Sequence, residues 1–177
     1  SPLLNHIYQA AADPAYWPAA ADHIRQAVGG HSVNYVLSDD ENSRLQYLHT
    51  SGVPLSLMAF YEQEMMPIDV MTRLHRQKPV GVAFSSDELI TQSDVRDLEV
   101  NQRFYREFGY DRFNSSFFYS ENSKTAWISV ARSFSDQQFS AQQIQILQNV
   151  TPHLQRAFLI NQALLSAQST SSLALDA

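Results

Sequence analysis

The sequence predicts an α+β domain, α/β in the broad sense: a central antiparallel sheet of about five strands with helices packed on it. Three observations carry that expectation. Two strand pairs, at 31–50 and 112–132, are each joined by a short polar connection, which closes strands antiparallel; a parallel pair needs a long crossover. Helical patterns precede, separate and follow these pairs, so a sheet covered by helices is the natural closure. The longest periodic stretch, Phe134 to Gln168, follows the clearest strand and repeats at the helical interval.

Residues 1–30 form an N-terminal helical unit. Leu3, Leu4, Ile7, Tyr8 and Ala11 share one helix face, Asp13-Pro14 turns the chain, and a second helix stops at Gly29-Gly30. Trp17 is placed to pin the two helices together. In the first strand Val33, Tyr35 and Leu37 alternate onto one face; in the second, Leu45, Tyr47 and His49 do so. The intervening "DDENS" is turn chemistry. Pro54 to Met66 reads as a helix, Asp69 as the N-cap of a short helix bearing Val70, Met71 and Leu74, and "VGVAF" as a short edge strand. "SSDEL" begins a capped turn, and Ser93 to Phe108 reads as one helix ending at Gly109. The last two strands, "RFNSSFFYS" and "TAWISVARS", meet at Asn122-Ser123.

Ser140 and Gln143 have the spacing of a capping box at the start of the long helix. Ile144, Leu147, Thr151, Leu154 and Phe158 then recur on one face. A second row, Ile146, Val150, Ala157, Ile160 and Leu164, lies about 100° around the axis. One wide core-facing stripe accounts for both rows; two separate stripes give the helix a second surface. On the second reading Ile144, Leu147, Leu154 and Phe158 belong to the core, and Ile146, Val150, Ile160 and Leu164 form the interface of a homodimer. Pro152 kinks the helix or splits it. The expected organisation is one domain over 1–168, with 140–168 as its output and dimerisation helix and 169–177 as a linker.

Bulk properties exclude several functions. Net charge is -6 with 12 Lys and Arg and no basic run, which argues against nucleic-acid binding by this segment. There is no cysteine, so disulfides, thiolate catalysis and cysteine-based metal sites are out. No apolar run is long enough to cross a bilayer, and the chain reads as cytoplasmic, with no membrane partner. The six histidines lack metal-ligand spacing, and neither a nucleophile elbow nor a phosphate loop is present, so no metal, no cofactor and no catalytic residue is expected. "FSAQQIQILQNV" invites a helix-turn-helix reading, but no glycine turn or basic recognition helix follows it. "VLSDDE" resembles the acidic opening of a phosphoacceptor domain, yet it runs into a second strand.

The remaining candidate is a pocket for a small, largely apolar molecule. Tyr35, Tyr47, Phe60, Tyr61, Met65 and Trp127 supply candidate lining residues, and Asp69 a polar anchor. In the last strand Thr125, Trp127, Ser129 and Ala131 share a face that mixes an aromatic with small and hydroxyl residues, as a cavity wall does. The other face, Ala126, Ile128 and Val130, is apolar and suits helix packing. The alternative is that these aromatics fill the core and Asp69 only caps a helix.

Three segments in order, "IYQAAADPAYWPAAADHIRQAVGG", "NQRFYREFGYDRF" and "FSAQQIQILQNVTPHLQRAF", resemble the N-terminal sensor region of bacterial LuxR-type transcription regulators. That resemblance implies a PAS/GAF-like, autoinducer-domain-like fold, a dimeric regulator, and a helix-turn-helix domain beyond Ala177. Acyl-homoserine-lactone receptors of this class carry a Trp-xxx-Tyr pair and then an Asp-Pro; Tyr61 and Asp69 are similar in placement. Leu57 stands at the tryptophan position and Val70 at the proline, so the resemblance implies a ligand without naming a homoserine lactone. The alternative function is a dimerisation or protein-interaction module that senses nothing.

Overall fold

The computed structural model describes residues 2–39, 41 and 44–175, with all their side chains except those of residues 47, 55, 92 and 169–175. The hairpin tip expected at "DDENS" therefore lies largely outside the described residues. Helices α1 (Pro2–Ala12) and α2 (Trp17–Val28) open the chain, with Asp13 capping the short turn between them. Gly29 ends α2 at φ 82°, where a side chain would be strained.

Strands β1 (Ser32–Asp39) and β2 (Arg44–Ser51) follow, then α3 (Leu55–Phe60), α4 (Val70–His75), β3 (Ala83–Ser85), α5 (Gln92–Asp97), α6 (Arg106–Phe108), β4 (Arg112–Glu121), β5 (Lys124–Arg132) and α7 (Ala141–Leu175). The strands form one five-stranded sheet in the order β2-β1-β5-β4-β3, antiparallel at every pairing. β3 is the expected edge strand. Asn122 and Ser123 both adopt positive φ at the β4–β5 turn, as a tight two-residue hairpin requires.

The expected division of β5 is what the sheet shows. Ala126, Ile128 and Val130 join Val33, Tyr35 and Phe118 in a core covered by α1, α2 and α7. Trp127, Ser129 and Ala131 point to the opposite face, under α3 to α6, where a second core gathers Met65, Met71, Val95, Phe104 and Phe113. Cross-strand neighbours on this face run Val36–Trp127–Phe117 and Asn34–Ser129–Ser115.

Two irregularities break simple alternation. An extra residue in β2, Leu48, shifts the register between Tyr35 and Val36. Leu45 consequently lines the second face, whereas Leu48 packs on the helix-side core, and His49 pairs with Tyr35 instead of sharing a face with Leu45. A matching extra residue in β4, Phe118, turns both Phe118 and Tyr119 toward Phe158 of α7.

The segment expected as one helix from Ser93 to Phe108 is broken. Leu98 leaves the helical region at ψ 132°, and the chain restarts through a wide π turn over Asn101–Tyr105. On one unbroken helix Val95, Val100 and Phe104 would spread over about half the circumference; the break brings all three into the second core.

The capping box at Ser140 and Gln143 forms with bonds of 2.9 and 3.2 Å. α7 then runs through Pro152 and on to Leu175, so residues 169–175, expected as a linker, continue the helix. Leu147, Leu154 and Phe158 are buried on the sheet. Val150, assigned to the dimer stripe, is buried in the same core at 4% exposure, because α1 packs along α7 there. Ile146 is half-buried against that core as well. Only the later part of the stripe is open: Ile160 is 42% and Leu164 43% exposed, beside the exposed Leu159 and Leu165. The two rows are thus one wide core-facing surface up to Phe158, followed by the exposed apolar side chains of Leu159, Ile160, Leu164 and Leu165.

Candidate small-molecule site

Between the sheet and α3 to α6 lies a cavity of about 80 Å³. Its floor is Val36, Phe113, Trp127 and Ser129 of the sheet; its roof is Met58, Tyr61, Thr72, His75, Phe104 and Tyr105. Val53 and Tyr110 complete one side, where the Tyr110 hydroxyl donates to the Gly52 carbonyl and ties the β2–α3 turn to the α6–β4 turn.

Asp69 organises the roof. It caps α4 by accepting from the Thr72 N–H at 3.2 Å through one carboxylate oxygen. The other oxygen accepts three hydroxyls: Tyr61 at 2.5 Å, Thr72 at 2.6 Å and Tyr105 at 2.7 Å. The group is 1% exposed, and four donors compensate its desolvation. Tyr61 starts one π turn, Tyr61–Met65, and Tyr105 ends the other, Asn101–Tyr105. A π turn rotates the following side chains relative to regular helix and recurs at functional sites. Burial and the Asp69 carboxylate hold both phenols well above their ordinary pKa, so they remain donors.

His75, at the end of α4, stands edge-on to Phe84 and Phe113. Burial pushes its imidazole down to about 4 against the opposing pull of Asp69. The ring is therefore neutral at pH 7, and its Nε2 is buried with no partner among the described residues. Other polar atoms at the cavity are engaged: Ser129 with Ser115 at 2.7 Å, and Asn34 as acceptor from Thr50 at 2.7 Å.

Of the candidates read from sequence, Tyr61 and Trp127 line the cavity and Asp69 fixes its roof. Tyr35 does not reach it: its position on β1 points to the helix-side core, where it packs on Trp17 and Phe118. Phe60 and Met65 belong to the second core behind the cavity, Phe60 packing on Phe104. Tyr47 pairs with Val36 in the sheet, and its side chain lies outside the described part. Sequence reading missed Thr72, His75, Phe104, Tyr105, Tyr110 and Phe113. A threonine three residues after a capping aspartate was an available signal for Thr72; nothing local pointed Tyr105 at Asp69. Among the described residues no group of three His, Cys, Asp or Glu is arranged to hold a metal, and no helix is long and apolar enough to cross a membrane.

Solved structures share this architecture. The LBD domain of VqsR from Pseudomonas aeruginosa aligns with a TM-score of 0.70 at 15% identity, covering 90% of this chain and 96% of that one. CepR2 of Burkholderia cenocepacia, an N-acylhomoserine lactone dependent LuxR family transcription factor, aligns at 0.59 and 16% identity over 94% and 99%. The fold is the one shared by the VqsR LBD domain and the LuxR family factor CepR2. It is also GAF-like: the GAF domain of a phosphoenolpyruvate-protein phosphotransferase from Coxiella burnetii aligns at 0.61 and 10% identity over 93% and 95%. At these identities the likeness is one of fold. No family model matches the sequence, and no curated protein does.

Proposed function

We propose that this chain is the cytoplasmic ligand-sensing domain of a LuxR-type transcription regulator, binding a small, largely apolar molecule. It would pass occupancy through α7, as a dimer, to a DNA-binding domain. The observation that carries the reading is the aromatic cavity whose roof converges on one buried carboxylate. Tyr61, Thr72 and Tyr105 are fixed by Asp69, and the unpartnered Nε2 of His75 is a vacant hydrogen-bonding position on the same wall. The fold shared with CepR2 supports the class of protein. Leu57 at the family's tryptophan position argues for a ligand other than a homoserine lactone. A ligand shifts a regulator only through different affinities for its two states, and the roof helices are the part whose packing a ligand would change.

A second reading, a dimerisation module that senses nothing, draws on the closure of the site: Asp69 is satisfied internally, and the cavity is about half the roughly 150 Å³ that holds benzene elsewhere. Melting curves in fractionated extracts of the native culture separate the two. The sensor reading expects at least one fraction to raise the melting temperature of the wild type and not of His75→Leu. Indifference to every fraction, with dimerisation intact, supports the second reading.

A further inference from the structure

A second chamber adjoins the aromatic cavity. It measures about 350 Å³ and is bounded by Ser38, Met66, Arg44, Arg73 and Arg76, together with the carboxylates of Asp39 and Asp69. Leu45 and Thr72 line both chambers, so the two meet at the start of α4. Arg76 joins them again: its guanidinium lies 5.9 Å from the ring centre of Trp127, the floor of the inner cavity, while its Nη2 donates to the Ser38 hydroxyl at 3.3 Å.

The two chambers have opposite chemistry. The inner one is aromatic and aliphatic. The outer one sets three guanidinium groups against two carboxylates, and Asp69 already holds three hydroxyls and a backbone N–H. Arg44 of β2 and Arg73 of α4 border the same opening from two elements, so one anion can meet both. Guanidinium forks match a carboxylate in two-point geometry.

We infer that the ligand of the sensor site is an amphipathic carboxylate-type anion, its apolar end in the aromatic cavity and its headgroup among Arg44, Arg73 and Arg76. This rests on the sensor reading and narrows its ligand class. The inner volume sets the size of the apolar end. Benzene occupies an engineered cavity of about 150 Å³, so 80 Å³ takes about three to four carbons, the far end of a chain whose next carbons pass Leu45 and Thr72 to reach the headgroup. The arginines are solvent-exposed, so each contributes modestly and in a salt-dependent way.

Calorimetric titration with hexanoate, 1-hexanol and hexylamine tests this, since the tails are alike and the headgroups are anionic, neutral and cationic. Hexanoate is expected to bind about tenfold more tightly than hexanol, with hexylamine weakest and the preference shrinking as salt is raised. Arg73→Gln with Arg76→Gln should remove most of the advantage of hexanoate over hexanol and leave hexanol binding unchanged. Arg44→Gln, on the opposite wall, is the second variant and should remove part of the preference without touching α4. Equal binding of hexanoate and hexanol, or a preference that survives all three substitutions, overturns the anion inference and leaves the sensor reading standing. Failure of all three compounds to bind also overturns it, while the extract screen judges the sensor reading separately.

Discussion

Asp69 accepts from three hydroxyls and one backbone N–H, and that arrangement sets the consequence of replacing it. Asp69→Ala leaves Tyr61, Tyr105 and Thr72 with buried donors and no acceptor and removes a helix cap. It should destabilise the fold by about 3 kcal/mol in urea unfolding; a loss below about 1 kcal/mol would show that water replaces the carboxylate. His75 gives a pH signature. Its folded pKa is lowered from 6.5 to about 4 by burial, so the unfolded chain takes up the proton first. The contribution is present in full above pH 6.5 and disappears as the pH falls from 6.5 to about 4, amounting to about 3 kcal/mol. His75→Leu should flatten that limb of the stability-against-pH curve relative to wild type; parallel curves would assign the limb to carboxylates instead. Part of this site was legible in sequence. Asp69 announces itself as a cap, and Tyr61 sits eight residues before it. Tyr105, thirty-six residues away, becomes a neighbour of the site only through the fold; His75 follows Thr72 by one turn of α4, but no local pattern distinguishes it from a core residue.

Among the elements, α7 carries both packing and exposed apolar surface. A helix stripe read from sequence reports that a face is apolar, not what covers it. α1 covers Val150 and its end meets Asn161, whereas Ile160 and Leu164 stay exposed. Ile160→Glu with Leu164→Glu should therefore change unfolding stability by no more than about 0.5 kcal/mol each and shift sedimentation from dimer to monomer. Val150→Glu should cost about 3 kcal/mol or more, because it places a charge in the core. A double variant that unfolds, or one that still sediments as a dimer, would remove Ile160 and Leu164 from the proposed interface. Pro152 sits inside the helix without ending it. Its missing N–H falls beside Thr151, whose hydroxyl bonds the Leu147 carbonyl at 2.8 Å and the Ser116 hydroxyl at 2.9 Å, so α7 is tied to β4 where its own ladder is weakest.

Across the whole molecule, Asn161 joins the ends of the chain. It accepts from the Trp17 indole at 2.5 Å and donates to the carbonyls of Ala10 and Ala11 at 3.0 and 2.5 Å, clasping α7 to the α1–α2 junction. Asn161→Ala leaves three buried polar groups unpaired. It should lower stability by about 2 to 3 kcal/mol and speed amide hydrogen exchange in α1 while β5 stays protected. Uniform loss of protection would mean that α1 and the sheet unfold as one unit. The clasp lies 144 residues from Trp17 to its partner, out of range of any sequence pattern; Trp17 was legible only as a pin for its two adjacent helices. By itself the sequence determined the elements whose signals are local: the caps at Asp69 and Ser140, the Asn122-Ser123 turn, the two faces of β5 and the antiparallel sheet that follows from paired hairpins. The tertiary structure decided everything that depends on which distant face meets which. One inserted residue at Leu48 reversed a strand's alternation, α1 chose which half of the α7 stripe is buried, and two π turns set Tyr61 and Tyr105 on the same carboxylate. Periodicity fixes the direction of a side chain within its own element, but the partner that direction finds is set by packing the whole chain at once.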